Sequence, residues 1–288
     1  MGKFLLRTPK FTFGSSLSFI FSFLLISPFY FLIDYPSNLN PDIGNYRLDY
    51  VNSNWSYEVG YEAVGAFFRV ILDFSFEQYW TCLILLQIFS LILIYSKRNL
   101  YIFALINIFV MSEFFYGTQV RYAIGCLFFL IVTIFFHIKW VRFLGFLASI
   151  LLHYGVGFVF LAYVLKELIS DYLLNRGFFI FMCCLFSAII FSHLLLTIIE
   201  VLLPFTRFSY YADSHYLEPK SISSLAYILT YLLVIFYASL LDKSLCNNAM
   251  LKFSVTVLFL CVVFNSVAVL SGRLLLFSFI LEPFVIQA

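Results

Sequence analysis

Residues 118–136 read TQVRYAIGCLFFLIVTIFF, an almost unbroken apolar run that opens with a polar pair and Arg121. A second apolar run, Tyr101–Val110, lies just before it, so the arginine falls at the edge of a predicted membrane-spanning helix. An arginine in this place has two interpretations. It extends its charge to the lipid headgroups and anchors the helix, or it faces a polar cavity and binds an anion.

The composition indicates a membrane environment along the whole chain. Of the 288 residues, 63% are hydrophobic and 11% are charged, whereas a soluble domain carries roughly 25% charged residues. Apolar runs of spanning length recur, and they are continuous rather than alternating, which favours helices over a barrel. We therefore predict an all-α fold, one polytopic integral membrane helical bundle over residues 1–288 with about 8–10 transmembrane helices.

Several function classes lack their sequence signals. The basic residues are dispersed between apolar runs, which argues against nucleic-acid binding. None of the six cysteines has metal-ligand spacing with a histidine. The chain has no nucleotide-binding glycine loop and no Gly-x-Ser-x-Gly. No metal and no cofactor are predicted.

The loop charges give a predicted orientation. Three basic residues precede the first span, Phe11–Ile33, so the positive-inside rule places the N-terminus in the cytoplasm. The polar stretch Asp34–Tyr61 is predicted as an outer loop, and Glu58–Phe74 as an amphipathic helix in the outer interface. Outer loops are expected near residues 34–78 and 204–221. The later predicted spans are Tyr79–Ser96, Asn99–Tyr116, Gln119–Phe136, Phe178–Leu203, Ile222–Leu241 and Leu251–Leu270, with a last short run from Arg273.

One segment conflicts with a simple alternation of spans. Phe143–Leu165 is long enough to cross, but crossing would place the basic loop Lys166–Arg176 outside. A helix broken at Gly155-Val156-Gly157 and turning back resolves the conflict, since non-helical backbone is tolerated where it lines a cavity. We prefer this broken or re-entrant segment. The alternative reverses the orientation of the later spans.

In the preferred topology Arg121, Arg207 and Arg273 lie at the outer face, against the positive-inside bias. The guanidinium fork matches phosphate oxygens, so these residues suggest recognition of a diphosphate. His153 lies deep in an apolar segment and is either structural or functional. The carboxylates on the same side offer a general base or a counter-charge for an arginine: Asp42, Asp49, Glu58, Glu62, Glu113 and Asp213.

The order of these features resembles the EpsG/Wzy-type polysaccharide polymerases over most of the chain. Tyr122 stands where the family usually has a glutamine. The shared elements are Asp42 with Tyr46, the run Glu58-Val59-Gly60-Tyr61, the span opening Arg121-Tyr122-Ala123-Ile124-Gly125, His153 in the next span, an outer loop with Arg207, and the late Arg273.

The resemblance implies two sets of site residues. The catalytic set is Arg121, His153, Arg207, Arg273 and Glu58. The substrate-binding set, in which aromatic side chains suit sugar rings, is Asp42, Tyr46, Tyr61, Tyr210, Tyr211 and Asp213.

The resemblance also implies a multi-pass glycosyltransferase of the bacterial inner (cytoplasmic) membrane. Such an enzyme joins undecaprenyl-diphosphate-linked oligosaccharides, as donor and acceptor, into O-antigen, capsule or exopolysaccharide without a metal or nucleotide sugar. The lipid bilayer, a chain-length regulator and a flippase are the implied partners. Two alternatives remain open: a transporter or flippase of lipid-linked glycans, and a membrane acyltransferase that modifies polysaccharide.

Overall fold

The computed structural model describes residues 13–34, 40, 42–96, 100–202, 205 and 221–287. Within these ranges the chain is 87% helical and contains no strand, which confirms the all-α prediction. The chain divides into two compact units, Met1–Val156 and Gly157–Ala288, and the boundary falls in the segment where a helix break was predicted.

Neighbouring helices of the first unit pack against one another. Its helices are α1 (Phe13–Ile26), α2 (Ile43–Asn52), α3 (Val59–Ala66), α4 (Phe76–Ser96), α5 (Tyr101–Met111), α6 (Val120–Phe135) and α7 (Lys139–Leu152). Asn107 of α5 donates to the Tyr95 hydroxyl of α4 at 3.1 Å. The rings of Phe129 in α6 and Phe146 in α7 stack with centroids 4.5 Å apart. α4 also packs against α6, so these four helices form a bundle.

The predicted break in Phe143–Leu165 is present. α7 ends at Leu152, His153 has extended backbone with φ −161° and ψ 120°, and α8 (Val156–Asn175) begins three residues later. The break thus lies at residues 153–155, slightly before the predicted position. It places His153 directly after the last turn of α7, where its side chain is not confined to the helix surface.

The second unit continues from α8 with α9 (Phe178–Leu202), α10 (Ile222–Leu241), α11 (Ala249–Val263) and α12 (Ala268–Ile286). The rings of Phe181 in α9 and Phe236 in α10 stack with centroids 4.4 Å apart. Lys252 of α11 bonds to Glu167 at 2.6 Å and to Asp171 at 3.0 Å, which fixes α11 against α8.

The first predicted outer loop contains a helix that the sequence interpretation did not find. Within α2 the buried residues follow helical spacing, which turns one face inward: Ile43, Tyr46, Asp49 and Tyr50. Because this face mixes aromatic and acidic side chains, α2 has little apolar periodicity to reveal it. The predicted helix Glu58–Phe74 corresponds to α3 and a π-helical turn, Phe67–Ile71.

The prediction of one span over Leu251–Leu270 was wrong. α11 ends at Val263, and α12 begins at Ala268 rather than at Arg273. The connecting turn carries Asn265 and Ser266 within a strongly apolar run, so average hydropathy did not reveal it. α12 has 19 residues, or about 28 Å, close to the roughly 30 Å of a bilayer core.

Four of the described helices, α4, α9, α10 and α12, are long and apolar enough to cross a membrane. Shorter apolar helices, α5, α6 and α11 among them, accompany these four. Most of α9 is not buried inside the protein, and an apolar surface of that length is stable only against lipid. The chain is therefore a helical membrane protein.

Candidate functional site

Arg121 lies at the start of α6 and is charge-paired inside the first unit. One of its terminal N–H groups donates to Glu58 Oε2, which forms an ion pair. Its Nε–H donates to the Tyr46 hydroxyl at 3.3 Å. The Arg121 side chain is 19% exposed, and the Glu58 side chain is 11% exposed. A charge held this far from solvent needs a partner, and Glu58 supplies it from the N-cap position of α3.

Three tyrosine rings surround the guanidinium group. Its central carbon lies 4.0 Å from the ring centroid of Tyr57, 5.5 Å from that of Tyr46 and 5.8 Å from that of Tyr61. The negative face of an aromatic ring attracts a cation, most strongly where water is excluded. Burial raises the pKa of Tyr46, and burial together with Tyr46 raises the pKa of Tyr57 to about 12. Both phenols are therefore neutral at physiological pH.

His153 approaches the same ion pair from the helix break. Its Nδ1 accepts a hydrogen bond from the Gly155 backbone N–H at 2.9 Å, so a neutral ring carries its proton on Nε2. That Nε2 lies 3.8 Å from Glu58 Oε1. The ring of Tyr122 meets the imidazole edge-on, with centroids 5.2 Å apart. The Glu58 carboxylate therefore lies between two groups: Arg121 pairs with Oε2, and the imidazole of His153 lies near Oε1.

Two glycines allow the helices that carry these residues to approach closely. A Cβ on Gly60 would lie 2.7 Å from the backbone carbonyl of Leu151, and one on Gly125 would lie 2.8 Å from Val156 and 3.2 Å from the Ser149 oxygen. Gly60 follows Glu58 by two residues, and Gly125 follows Arg121 by four. The small residues thus set the distance of α3 and α6 from the end of α7, where His153 lies.

A second acidic pair supports the loop that joins α2 and α3. Asp49 accepts from the Ser56 N–H at 3.0 Å, and Glu62 accepts from the Tyr57 N–H at 2.8 Å. Both acidic residues are buried. Burial raises the pKa of Glu62, Asp49 raises it further, and the Tyr57 N–H partly offsets the rise. These contacts hold Tyr57 over Arg121.

The structure brings together six of the residues that the sequence nominated: Asp42, Tyr46, Glu58, Tyr61, Arg121 and His153. Asp42 lies at the exposed edge of the cluster; the partial burial of its carboxyl raises its pKa, and Arg121 partly offsets the rise. Arg273 lies partly buried in the second turn of α12, in the other unit. The remaining nominees lie outside the described residues: Arg207, Tyr210, Tyr211 and Asp213.

Tyr57 of the cluster was not nominated, and Asp49 and Glu62 were named only as possible general bases or counter-charges, although the spacing of all three carried a signal. Tyr57 directly precedes Glu58, and Glu62 follows Glu58 by four residues, which is one helical turn. Asp49 follows Tyr46 by three residues on α2. Since α2 was not recognised as a helix, this spacing could not be used.

The fold and the cluster define a helical membrane protein with a charge-paired, aromatic-lined site in its first unit. Among the described residues, no group of three or more His, Cys, Asp or Glu side chains is placed to hold a metal ion. No protein-family model, curated protein or solved structure matches the chain.

Proposed function

We propose that the chain is a metal-independent membrane glycosyltransferase, a polymerase that joins undecaprenyl-diphosphate-linked oligosaccharide repeat units. The reaction takes place at the outer face of a bacterial inner membrane. The observation that carries the proposal is the meeting of Arg121, Glu58 and His153, from three separated segments, beneath tyrosine rings. These are the groups that a transfer from a lipid diphosphate to a sugar hydroxyl requires.

In this proposal Arg121 binds the diphosphate of the donor. Arginine has five N–H donors, and within the described residues Tyr46 and Glu58 take two of those on Arg121. The remaining donors suit phosphate oxygens, to which a guanidinium group binds in pairs. As the bond from the anomeric carbon to the diphosphate breaks, negative charge grows on the leaving oxygens, and a fixed cation lowers the barrier.

Glu58 is the better placed general base of the two nominated groups. Its carboxylate is an acceptor, whereas His153 presents an N–H toward it because the other ring nitrogen is occupied by Gly155. A diphosphate that binds Arg121 competes with Glu58 for the guanidinium group. The freed carboxylate then takes the proton of the attacking hydroxyl, and the imidazole N–H holds its second oxygen.

The proposal places this site in an outward-facing part of the bundle. α3 lies in the outer interface, the break at residues 153–155 belongs to a re-entrant segment, and about 8–10 helices cross the membrane. Donor and acceptor are both amphipathic lipids. A membrane protein with an outward polar site can hold both of them together.

A chain-length assay tests the proposal. A strain that lacks the gene should accumulate glycan with a single repeat unit, and the purified protein should lengthen lipid-linked repeat units in vesicles. A transporter would move repeat units without changing their length, and an acyltransferase would change their mass by an acyl group. Glu58→Gln should insert normally and abolish lengthening. Normal long chains in that variant would remove Glu58 from the chemistry.

A further inference from the structure

The short loop between α2 and α3 presents an exposed tryptophan on strained backbone. Trp55 is 52% exposed, and its φ is +52°, while Ser53 two residues earlier has φ +57°. Side chains of L residues rarely adopt this left-handed region. Strain of this kind persists where the surroundings enforce it, and it is concentrated at binding and active sites.

Two buried carboxylates enforce this conformation. The two carboxylates accept from consecutive backbone N–H groups: Asp49 from that of Ser56 at 3.0 Å, and Glu62 from that of Tyr57 at 2.8 Å. Tyr57 is thereby turned inward, with its ring 4.0 Å from the Arg121 guanidinium carbon. Trp55, on the other side of Ser56, is held outward. The loop thus packs the ring of Tyr57 against the guanidinium group of Arg121 and leaves the ring of Trp55 exposed to solvent.

The residues that flank Trp55 in the sequence are polar and uncharged. Four exposed neighbours carry hydroxyl or amide groups: Asn52, Ser53, Asn54 and Ser56. No lysine or arginine occurs between Arg47 and Arg69, although basic residues usually accompany aromatic anchors at a membrane surface. An exposed aromatic side chain flanked in the sequence by such groups suits a neutral sugar. The C–H face of a pyranose packs on the negative ring face, and its hydroxyls bond to hydroxyl and amide groups.

We propose that Trp55 is a stacking platform for a sugar ring of the lipid-linked oligosaccharide. This assignment rests on the proposed function and names a sugar subsite next to its charged site. Trp55 precedes Tyr57 by two positions, and an extended chain advances at most about 3.6 Å per residue, so their Cα atoms lie no more than about 7 Å apart. A sugar on Trp55 would therefore lie beside the loop that covers Arg121, and we assign it to the acceptor.

The test uses the full-length protein in nanodiscs with Trp55→Ala, Trp55→Phe and, as a matched control, Trp140→Ala. Trp140 is also exposed, at 77%, but lies at the start of α7. We expect Trp55→Ala to raise the acceptor KM for chain lengthening about tenfold with little change in kcat, because one stacked ring is worth roughly that factor. Trp55→Phe should retain most of the affinity, and Trp140→Ala should resemble the wild type. An unchanged acceptor KM in Trp55→Ala overturns the proposal.

A fluorescence measurement separates the sugar platform from a membrane anchor and does not require turnover. The Trp55 signal is taken as the difference between the wild type and Trp55→Phe. The probe is the free repeat-unit oligosaccharide, released by mild acid from the lipid-linked intermediate of the deletion strain. We expect the oligosaccharide to change this signal and lipids with brominated acyl chains to leave it unchanged. Quenching by the brominated lipids without a response to the oligosaccharide overturns the proposal.

The two proposals fail separately. If the wild type binds the oligosaccharide through Trp55 but lengthens no chain, the polymerase assignment fails and the sugar subsite stands. If the wild type lengthens chains and Trp55→Ala does so equally well at every acceptor concentration, the sugar subsite fails and the polymerase assignment stands.

Discussion

At the scale of single residues, the site is a balance of charges around Arg121. The guanidinium group is paired with Glu58 and covered by Tyr57, so it is fixed before any ligand arrives. Removing one partner of a buried ion pair leaves the other uncompensated, which destabilises by about 3–5 kcal/mol. The ion pair with Glu58 therefore fixes the position of Arg121. An incoming anion can replace Glu58 as the partner of the guanidinium group, so the cation is never left unpaired.

The acidic pair Asp49 and Glu62 gives the loop a dependence on pH. The pKa of Glu62 is raised above its ordinary value of 4.5 because burial and Asp49 disfavour its charge, while the Tyr57 N–H and Arg121 act in the opposite direction. Because the pKa of Glu62 is higher in the folded state than in the unfolded state, protonation of Glu62 stabilises the fold. This contribution to stability is full below pH 4.5 and is lost as the pH rises through the folded-state pKa. We expect hydrogen exchange in loop residues 53–57 to accelerate over that window beyond its intrinsic pH dependence.

Glu62→Gln is the matched control for this effect. Glutamine keeps the size of a protonated carboxyl group and cannot ionise, so the additional acceleration should disappear. If the wild type and Glu62→Gln show the same exchange at every pH, Glu62 does not titrate in this range and the coupling is wrong.

The sequence predicted much of the site at this scale. Arg121 and His153 were nominated because charged and imidazole groups are rare and costly in apolar segments. Glu58 was nominated as a carboxylate on the same side and through the family resemblance. Tyr57 was not nominated, since the sequence cannot tell which of several loop aromatics turns inward. That choice depends on the hydrogen bonds to Asp49 and Glu62, which exist only when α2 and α3 are packed.

At the scale of helices, Gly60 sets the approach of α3 to α7. A Cβ at this position would lie 2.7 Å from the backbone C and O atoms of Leu151, and backbone cannot give way as a side-chain tip can. Gly60→Ala should therefore push α3 outward and separate Glu58 from His153. Because misplacing a reacting group by about 1 Å can cost a hundredfold in rate, we expect chain lengthening to fall at least about tenfold while the protein still inserts.

Gly44→Ala is the control for that change. Gly44 lies in α2, and a Cβ added there would have no neighbouring atom within 4 Å. Alanine also favours helix more than glycine does. This variant should retain wild-type lengthening. Equal activity in Gly60→Ala and Gly44→Ala would contradict the role given to the close contact.

Helix boundaries were predicted well where a long apolar run ends in polar residues. α10 begins and ends at the predicted Ile222 and Leu241, and α9 matches within one residue. The turn between α11 and α12 was missed because apolar residues surround it. Across this turn the buried Ser271 hydroxyl donates to the Cys261 carbonyl at 2.9 Å, a contact between residues that only the packed pair of helices brings together.

At the scale of the whole molecule, the orientation of the spans remains a prediction from loop charge. Arg207 and Lys220 border one loop, and Lys243 and Lys252 border the next. We expect the first loop outside and the second inside. In a background without native cysteines, an impermeant thiol reagent applied to intact cells should label Ser214→Cys and leave Asn247→Cys unlabelled. The reverse pattern would invert the topology of these spans.

The most direct test of the whole account is chain lengthening by Arg121 variants. Purified wild type, Arg121→Lys and Arg121→Ala are incubated in vesicles with lipid-linked repeat units, and the products are sized. Lysine keeps the charge and loses the fork, and a hydrogen bond to a charged group is worth roughly 1.5–3 kcal/mol. We predict that the wild type makes long chains, that Arg121→Lys is about ten- to a hundredfold slower, and that Arg121→Ala is inactive. An Arg121→Lys protein as active as the wild type would make Arg121 a membrane anchor, and a wild type that lengthens nothing would contradict the polymerase itself.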